Sequence, residues 1–293
     1  MVRTPALALH LHLGRRRLAP SHPLLLDRQW RGLVQSLRGA GPLAACLLPE
    51  GVELVLLAGL PAARALARRL ARVLPDLVQV DDASAGLVVT DPTPLAGPDA
   101  LRGAVRAVEG RAQAVGLAEG PLSWRWSTAW DRAGLRLLPG AGAADLRGLL
   151  PLGGTIARPA PLPGRRHPGE ALPLLAEVAA LSCGLHPQEL RASGPRASHA
   201  DGTLRAWRLA LALAVDRGWA PQVAADHFGL PAGEPLPGGP ALDAARRLLA
   251  AVIAGRVCLP GGRRVADLAL GRRAHPTAGA PGARLARRLA LPR

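Results

Sequence analysis

The first half of the chain contains short apolar stretches with the length and spacing of β-strands. Residues 7–13 alternate apolar side chains with histidines, which is the pattern of a half-buried strand. Two apolar runs at 43–48 and 52–57 follow, separated by a turn of Pro, Glu and Gly. Shorter apolar stretches lie at 77–80 and 86–90. Together these stretches predict a β-sheet.

Segments with helical periodicity lie between these strands. Residues 28–38 place Trp30 and other apolar side chains on one face, and Asp27 stands where it could cap the helix. Two more amphipathic segments, at 62–74 and 98–108, also predict helices. The order βαββαβα predicts an α+β fold, a ferredoxin-like sheet with helices on one face.

The second half of the chain predicts helices only. A Gly- and Pro-rich stretch precedes them, and a short helix pair around a Gly-Trp-Ala-Pro turn is typical of a helix-turn-helix. The predicted helices lie at 172–182, 187–192, 203–216, 220–228 and 241–254.

These patterns divide the chain into four parts. Residues 1–134 form the α+β domain, and 135–169 form a Gly/Pro-rich linker. Residues 170–256 form an all-α, helix-turn-helix-like domain, and 257–293 form a basic flexible tail.

The charge of the chain is strongly positive. It contains 37 arginines and no lysine, against 21 Asp and Glu, which gives a formal net charge of +16. A GC-rich genome also favours arginine codons, but Asp and Glu codons are GC-rich as well. Because guanidinium groups suit phosphates, the charge predicts a nucleic-acid partner.

Cysteine usage and hydropathy exclude several classes of protein. Cys46, Cys183 and Cys258 are isolated, so neither a zinc ribbon nor a disulfide framework is indicated. No apolar run approaches the ~18–20 residues that cross a bilayer. Arginines follow the apolar N-terminal stretch instead of preceding it, unlike in a signal peptide. We therefore expect a cytoplasmic protein.

Three segments, in this order, resemble the single-tyrosine transposases of the HUH endonuclease class, including those associated with REP elements. The first is LHLHLGRRR with LLLDRQWRGLVQSLRGAG after it, and the second is AACLLPEGVELVLL. The third is VRAVEGRAQAVGLAEGPLSWRWSTAW. The resemblance spans residues 7–130. In the third segment, the positions that match the family pattern are Arg106, Gly116, Leu117, Trp126 and Ser127.

The resemblance implies that the chemistry of the family has been lost. In the family, a histidine pair holds a divalent metal while a tyrosine attacks the phosphate. The matching metal positions here are Gly51 and Glu53, and the matching tyrosine positions are Ala100 and Ala107. The chain contains no tyrosine. We therefore expect no catalytic residues and no metal cofactor.

One histidine pair keeps the letter pattern of the missing metal motif. His10 and His12 lie on the first predicted strand, however, and not on the strand that holds metal in the family. An alternative hypothesis is a metal-dependent nickase of single-stranded DNA whose site is rebuilt from His10, His12 and Glu53. A third is a decaying remnant that binds no nucleic acid.

The helical half resembles the DNA-binding domain of the bacterial replication initiator. The similar segments are LLAEVAALSCGLHPQEL and TLRAWRLALALAVDRGWAPQVAADHFGL. The resemblance implies that Arg205 and Arg208 face DNA phosphates. Where the recognition helix is expected, the chain reads PAGEPLPGGPAL, whose Pro and Gly exclude a regular helix.

The sequence therefore predicts a catalytically inactive, transposase-derived DNA-binding protein. Its expected partner is DNA and not a membrane, and the resemblance allows a homodimer. The arginines that we expect to contact DNA are Arg15, Arg16, Arg17, Arg64, Arg68, Arg69, Arg205 and Arg208.

Overall fold

The protein has a mixed α+β fold that is mostly helical. The described residues form two compact units, one containing those up to 129 together with Ile156, the other those at 130–136 and from 158 onward. A computed structural model of the protein describes residues 8–14, 23–38, 40, 42–76, 88–136, 156, 158–193, 201–231 and 233–260.

The first unit is built around an antiparallel sheet with the strand order β2-β3-β1-β4. A further strand, β5, pairs with the same edge of β1 as β4 does. The strands are β1 Ala8–Gly14, β2 Pro42–Leu48, β3 Gly51–Leu57, β4 Val88–Val89 and β5 Thr93–Leu95. The three longest predicted strands are confirmed, β5 was not predicted, and the predicted strand at 77–80 lies outside the described residues.

The described part of the first unit contains four helices besides this sheet. The helices are α1 Pro23–Ser36, α2 Leu60–Asp76, α3 Gly97–Glu109 and α4 Arg111–Ala114. The first two pack against each other and α2 contacts β1, whereas α3 packs against β2 and β3. Every residue from Gly51 to Leu56 is buried, and a strand that is apolar on both sides needs cover on both.

The first helix begins earlier than its predicted cap. Pro23 is its first residue, a position that suits proline because the first turn of a helix needs no N–H donor there. Asp27 therefore lies inside the helix, and the prediction that it caps the N-terminus is wrong. Its side chain is buried and bonds to a distant part of the chain, as described below.

The second unit is helical in its described part, and its predicted helices are confirmed. After the short α5 Ala129–Arg132, they are α6 Leu172–Ser182, α7 Pro187–Ser193, α8 Asp201–Asp216, α9 Pro221–Phe228 and α10 Pro240–Ile253. Between α9 and α10 the described residues form no helix, as the proline and glycine content predicts. No helix in the described ranges combines the length and apolarity needed to cross a bilayer.

Residues 158–170 pack against the C-terminal end of α8, although most of them fall in the predicted linker. Arg217 is fully buried and donates two hydrogen bonds to Glu170, at 2.8 and 2.7 Å. The same guanidinium also donates to the carbonyl of Pro163. The backbone N–H of Arg165 donates to the carbonyl of Asp216 at 2.8 Å. This stretch is therefore part of the helical unit.

Candidate functional site

Two of the family-like segments meet at a buried carboxylate. Asp27 on α1 accepts two hydrogen bonds from Arg125, at 3.0 and 2.8 Å, and one from the indole N–H of Trp126, at 2.7 Å. The backbone beside Trp126 pairs with β2, because the N–H of Leu47 donates to the carbonyl of Trp126. Trp126 is only 5% exposed. Trp126 therefore packs in the core with Asp27 as the acceptor of its indole N–H.

Glu53, at one of the two predicted metal positions, is held in an ion pair. Its side chain is 10% exposed, and one carboxylate oxygen lies 2.9 Å from Nε of Arg111 on α4. The strand register places Glu53 opposite Cys46 on one side and opposite His12 on the other. The description of β1 covers its backbone only, so the two histidines are placed by register alone: His10 lies opposite Val55.

The neighbouring thiol is kept in its neutral form. Burial raises the pKa of Cys46 from 9.0 to about 12, and the negative charge of Glu53 adds to the effect. A neutral, buried thiol is a poor nucleophile and a poor metal ligand.

The described residues around Glu53 do not fit a divalent metal. Gly51 has no side chain that could coordinate one, and the guanidinium of Arg111 already supplies the positive charge beside Glu53. Among the described residues, no group of three or more His, Cys, Asp or Glu is placed to hold a metal ion.

The two predicted tyrosine positions lie on the exposed side of α3. Ala100 and Ala107 are both exposed, whereas Val105 and Val108 on the same helix are completely buried. Alanine has no group that could attack a phosphate. Thr128 links this helix to the edge of the sheet. Its hydroxyl donates a hydrogen bond to the buried Glu109 at 2.9 Å and accepts one from the backbone N–H of Ala45 on β2.

The exposed side of α2 carries a row of arginines, which we call the α2 arginine face: Arg64, Arg68 and Arg72. These residues recur every four positions, so they lie on one side of the helix, about 6 Å apart along its axis. The opposite side is buried through Ala63, Leu66, Ala67 and Leu70. The helix contains four arginines against one acidic residue, whereas α3 contains two against two.

Two members of this face have no ion-pair partner among the described residues. Arg64 pairs with Asp91 at 3.3 Å, but both side chains are largely exposed and such pairs contribute little stability. Arg68 and Arg72 are exposed, and no acidic side chain in the described ranges pairs with either. The sequence-based choice omitted Arg72, although its four-residue spacing from Arg68 was a sufficient signal.

The other predicted DNA contacts have different environments. Arg69 donates to the backbone carbonyl of Ser36 and so fastens α2 to α1. Arg205 is exposed on α8, whereas Arg208 forms an ion pair with Glu234 from the segment after α9. The predicted contacts at 15–17 lie outside the described residues.

The helical unit also contains a small apolar pocket of about 150 Å³. Trp207 and Phe228 form part of its lining, with their rings 5.6 Å apart. The ion pair between Glu177 and Arg191 lies at its wall. None of the predicted functional residues lines this pocket.

No model of a protein family matches this chain, and no curated protein or solved structure shows significant similarity to it.

Proposed function

We propose that this protein binds DNA through its arginines and lacks strand-cleavage chemistry, on a scaffold derived from a single-tyrosine transposase. The observation that carries the proposal is the α2 arginine face, with Arg68 and Arg72 exposed and unpaired among the described residues. Arginine contacts to phosphates need no base-specific geometry, and each releases counterions from DNA.

The topology of the first unit supports a ferredoxin-like fold. The strands β1 and β2 are joined by α1 and separated in the sheet by β3, which is the split βαβ arrangement. The contact between Asp27 and Trp126 joins two of the three family-like segments across 99 residues. Both features are expected of a transposase-derived scaffold.

The loss of chemistry is supported by what replaces the family's reactive groups. A metal ion beside Glu53 would meet the guanidinium of Arg111, which lies 2.9 Å from its carboxylate. Like charges in such proximity repel, so metal and arginine exclude each other. No tyrosine exists in the chain to form a phosphotyrosyl intermediate.

In this proposal the helical unit contacts the phosphate backbone of DNA and does not recognise individual bases. Arg205 is exposed and available for a phosphate. Arg208 would first have to leave Glu234. The helix-turn-helix resemblance ends after α9, because the described residues between α9 and α10 form no helix that could enter a major groove.

The proposal is tested by measuring binding and cleavage on the same labelled DNA. A gel shift and a denaturing gel would be run with duplex, single-strand and hairpin probes, with Mg²⁺ or Mn²⁺ present. We expect shifted complexes at low salt and no shortened product. The variant R68Q/R72Q should bind about tenfold more weakly, since it removes two phosphate contacts.

A matched control is available on α3. The variant R102Q/R106Q removes the same charge at the same four-residue spacing and should change binding by less than about twofold. A metal-dependent nick abolished by His12→Ala would establish the rebuilt nickase instead. Unshifted mobility with every probe would establish a remnant that binds no nucleic acid.

A further inference from the structure

All aromatic side chains of this chain are accounted for within the folded units. The chain has six tryptophans, one phenylalanine and no tyrosine, and all seven aromatic residues are described. Six of them are at most 9% exposed and the seventh, Trp219, is partly exposed. The six buried aromatic residues are Trp30, Trp124, Trp126, Trp130, Trp207 and Phe228.

Three of the indoles are also fixed by hydrogen bonds. The N–H of Trp124 donates to the carbonyl of Leu47 at 2.8 Å. The N–H of Trp219 donates to the carbonyl of Glu170 at 2.9 Å, and Trp126 donates to Asp27. Turning any of these rings outward would break a bond in the interior. Among the described tryptophans and the phenylalanine, none presents a fully exposed ring on which an unpaired base could stack.

Single-strand binders depend on such platforms. Stacking on aromatic side chains contributes about 1–3 kcal/mol per base and compensates for the lower charge density of a single strand. Without it, affinity rests on guanidinium–phosphate contacts alone. Those contacts favour the duplex, which carries one charge per ~1.7 Å of axis and releases about 0.9 counterion per contact against about 0.7 for single strands.

We propose that the ligand of the α2 arginine face is double-stranded DNA, recognised through its phosphate backbone without regard to sequence. This inference rests on the proposed function and names its substrate class. Arg64, Arg68 and Arg72 extend about 12 Å along α2, long enough to follow successive phosphates of one groove edge. This duplex ligand differs from the single-stranded hairpin DNA that a nickase would require.

Competition against a labelled duplex tests this inference. Protein bound to a fluorescent 20-base-pair duplex would be titrated with three unlabelled competitors at equal phosphate concentration: the same duplex, a duplex of unrelated sequence, and one of its single strands. We expect the two duplexes to compete equally within about twofold and the single strand to be about tenfold weaker. A single strand that competes as well as the duplex would overturn the inference and leave DNA binding intact. Absence of binding to the labelled duplex at low salt would overturn the inference alone, whereas absence of binding to labelled duplex, single-strand and hairpin probes alike would overturn both proposals.

Two variants separate the mechanism from a general loss of affinity. R68Q/R72Q should weaken duplex binding more than single-strand binding, whereas R102Q/R106Q should leave their ratio unchanged. Trp219→Leu removes the one tryptophan or phenylalanine ring that is partly exposed, and it should leave single-strand affinity within about twofold of the parent. A tenfold loss of single-strand affinity in the folded Trp219→Leu protein would show base stacking and contradict the inference.

Discussion

Asp27 shows how a single carboxylate can organise the first unit. It is 6% exposed, yet three N–H groups from Arg125 and Trp126 satisfy it. The bidentate pair leaves the charge compensated in the interior, where an unpaired charge would be costly. The residue thus ties α1 to the segment that borders β2.

Asp27→Ala should lower the free energy of unfolding by about 3 kcal/mol, because it leaves the Arg125 guanidinium without its partner in a mostly buried place. Chemical denaturation of the two proteins would measure the difference. Asp91→Ala is the control, since Asp91 also pairs with an arginine but its side chain is 85% exposed; its effect should stay within about 0.5 kcal/mol. Equal effects of the two substitutions would contradict this role of Asp27.

The three cysteines should differ in reactivity. Burial raises the pKa of Cys46 and of Cys183 from 9.0 to about 12, whereas Cys258 is exposed. At pH 8 the raised pKa keeps Cys46 and Cys183 almost entirely in the thiol form. Iodoacetamide followed by peptide mass mapping should therefore modify Cys258 first.

The same rise has a consequence for stability. The folded state holds both thiols neutral while the unfolded chain ionises them near pH 9, so stability present below pH 9 is lost as the pH rises toward 12. In urea all three thiols should react alike. Rapid modification of Cys46 in the folded protein would show that this residue of β2 is not buried as described.

At the scale of elements, one side of α2 packs in the core and the other side exposes arginines. Leu66 and Leu70 are buried, while Arg68 and Arg72 are exposed. The apolar side supplies the hydrophobic contacts that hold the helix, so the arginines on the other side need not contribute to folding. A helix of this kind can lose exposed arginines and remain folded. The R68Q/R72Q variant should therefore change binding without changing the fold.

The segment at 158–170 depends on a close backbone approach at Gly218. This glycine has φ of +90°, and a Cβ there would lie 2.5 Å from the carbonyl carbon of His167. Gly218→Ala should therefore cost at least about 3 kcal/mol, from left-handed strain plus the clash. Thermal unfolding followed by circular dichroism would measure it.

Gly233→Ala is the matched control, because Gly233 also has a positive φ, of +81°, but no atom lies within 4 Å of an added Cβ. It should cost only the backbone strain, about 1 kcal/mol. A Gly218→Ala protein as stable as Gly233→Ala would show that His167 does not pack on this turn.

Secondary structure was largely predictable because the relevant signals are local. Residues 172–182 were predicted as a helix and form α6 with the same bounds. The roles of Asp27 and Arg111 were not predictable, since each depends on a partner more than 50 residues away. β5 was missed because a three-residue strand containing a proline gives no periodic pattern.

The contacts of the candidate site were only partly predictable from the sequence. The residues Gly51 and Ala100 could be read directly as lacking ligand and nucleophile. The position of the Arg111 guanidinium beside Glu53 could not be predicted from the sequence. Arg111 is brought there only by the packing of α3 and α4 on the sheet. Likewise, the sequence cannot separate Arg208, which pairs with Glu234, from the exposed Arg205.

At the scale of the whole molecule, a formal charge of +16 is the property that most constrains function. Some of its arginines are structural, such as the buried Arg217 and Arg136. On α2, four arginines stand against one acidic residue of the same helix, and this excess favours a local positive field. The positive charge of the described residues is therefore distributed unevenly, with the exposed arginines of α2 on one side of the helix.

The salt dependence of duplex binding tests this account most directly. Anisotropy titrations of a labelled duplex from about 50 to 200 mM NaCl should give a straight line of log affinity against log salt, with a steep negative slope. R68Q/R72Q should reduce the magnitude of that slope by about 1.8, and R102Q/R106Q by less than about 0.5. Affinity that does not change with salt, or equal slopes for R68Q/R72Q and the parent protein, would contradict binding through the α2 arginine face.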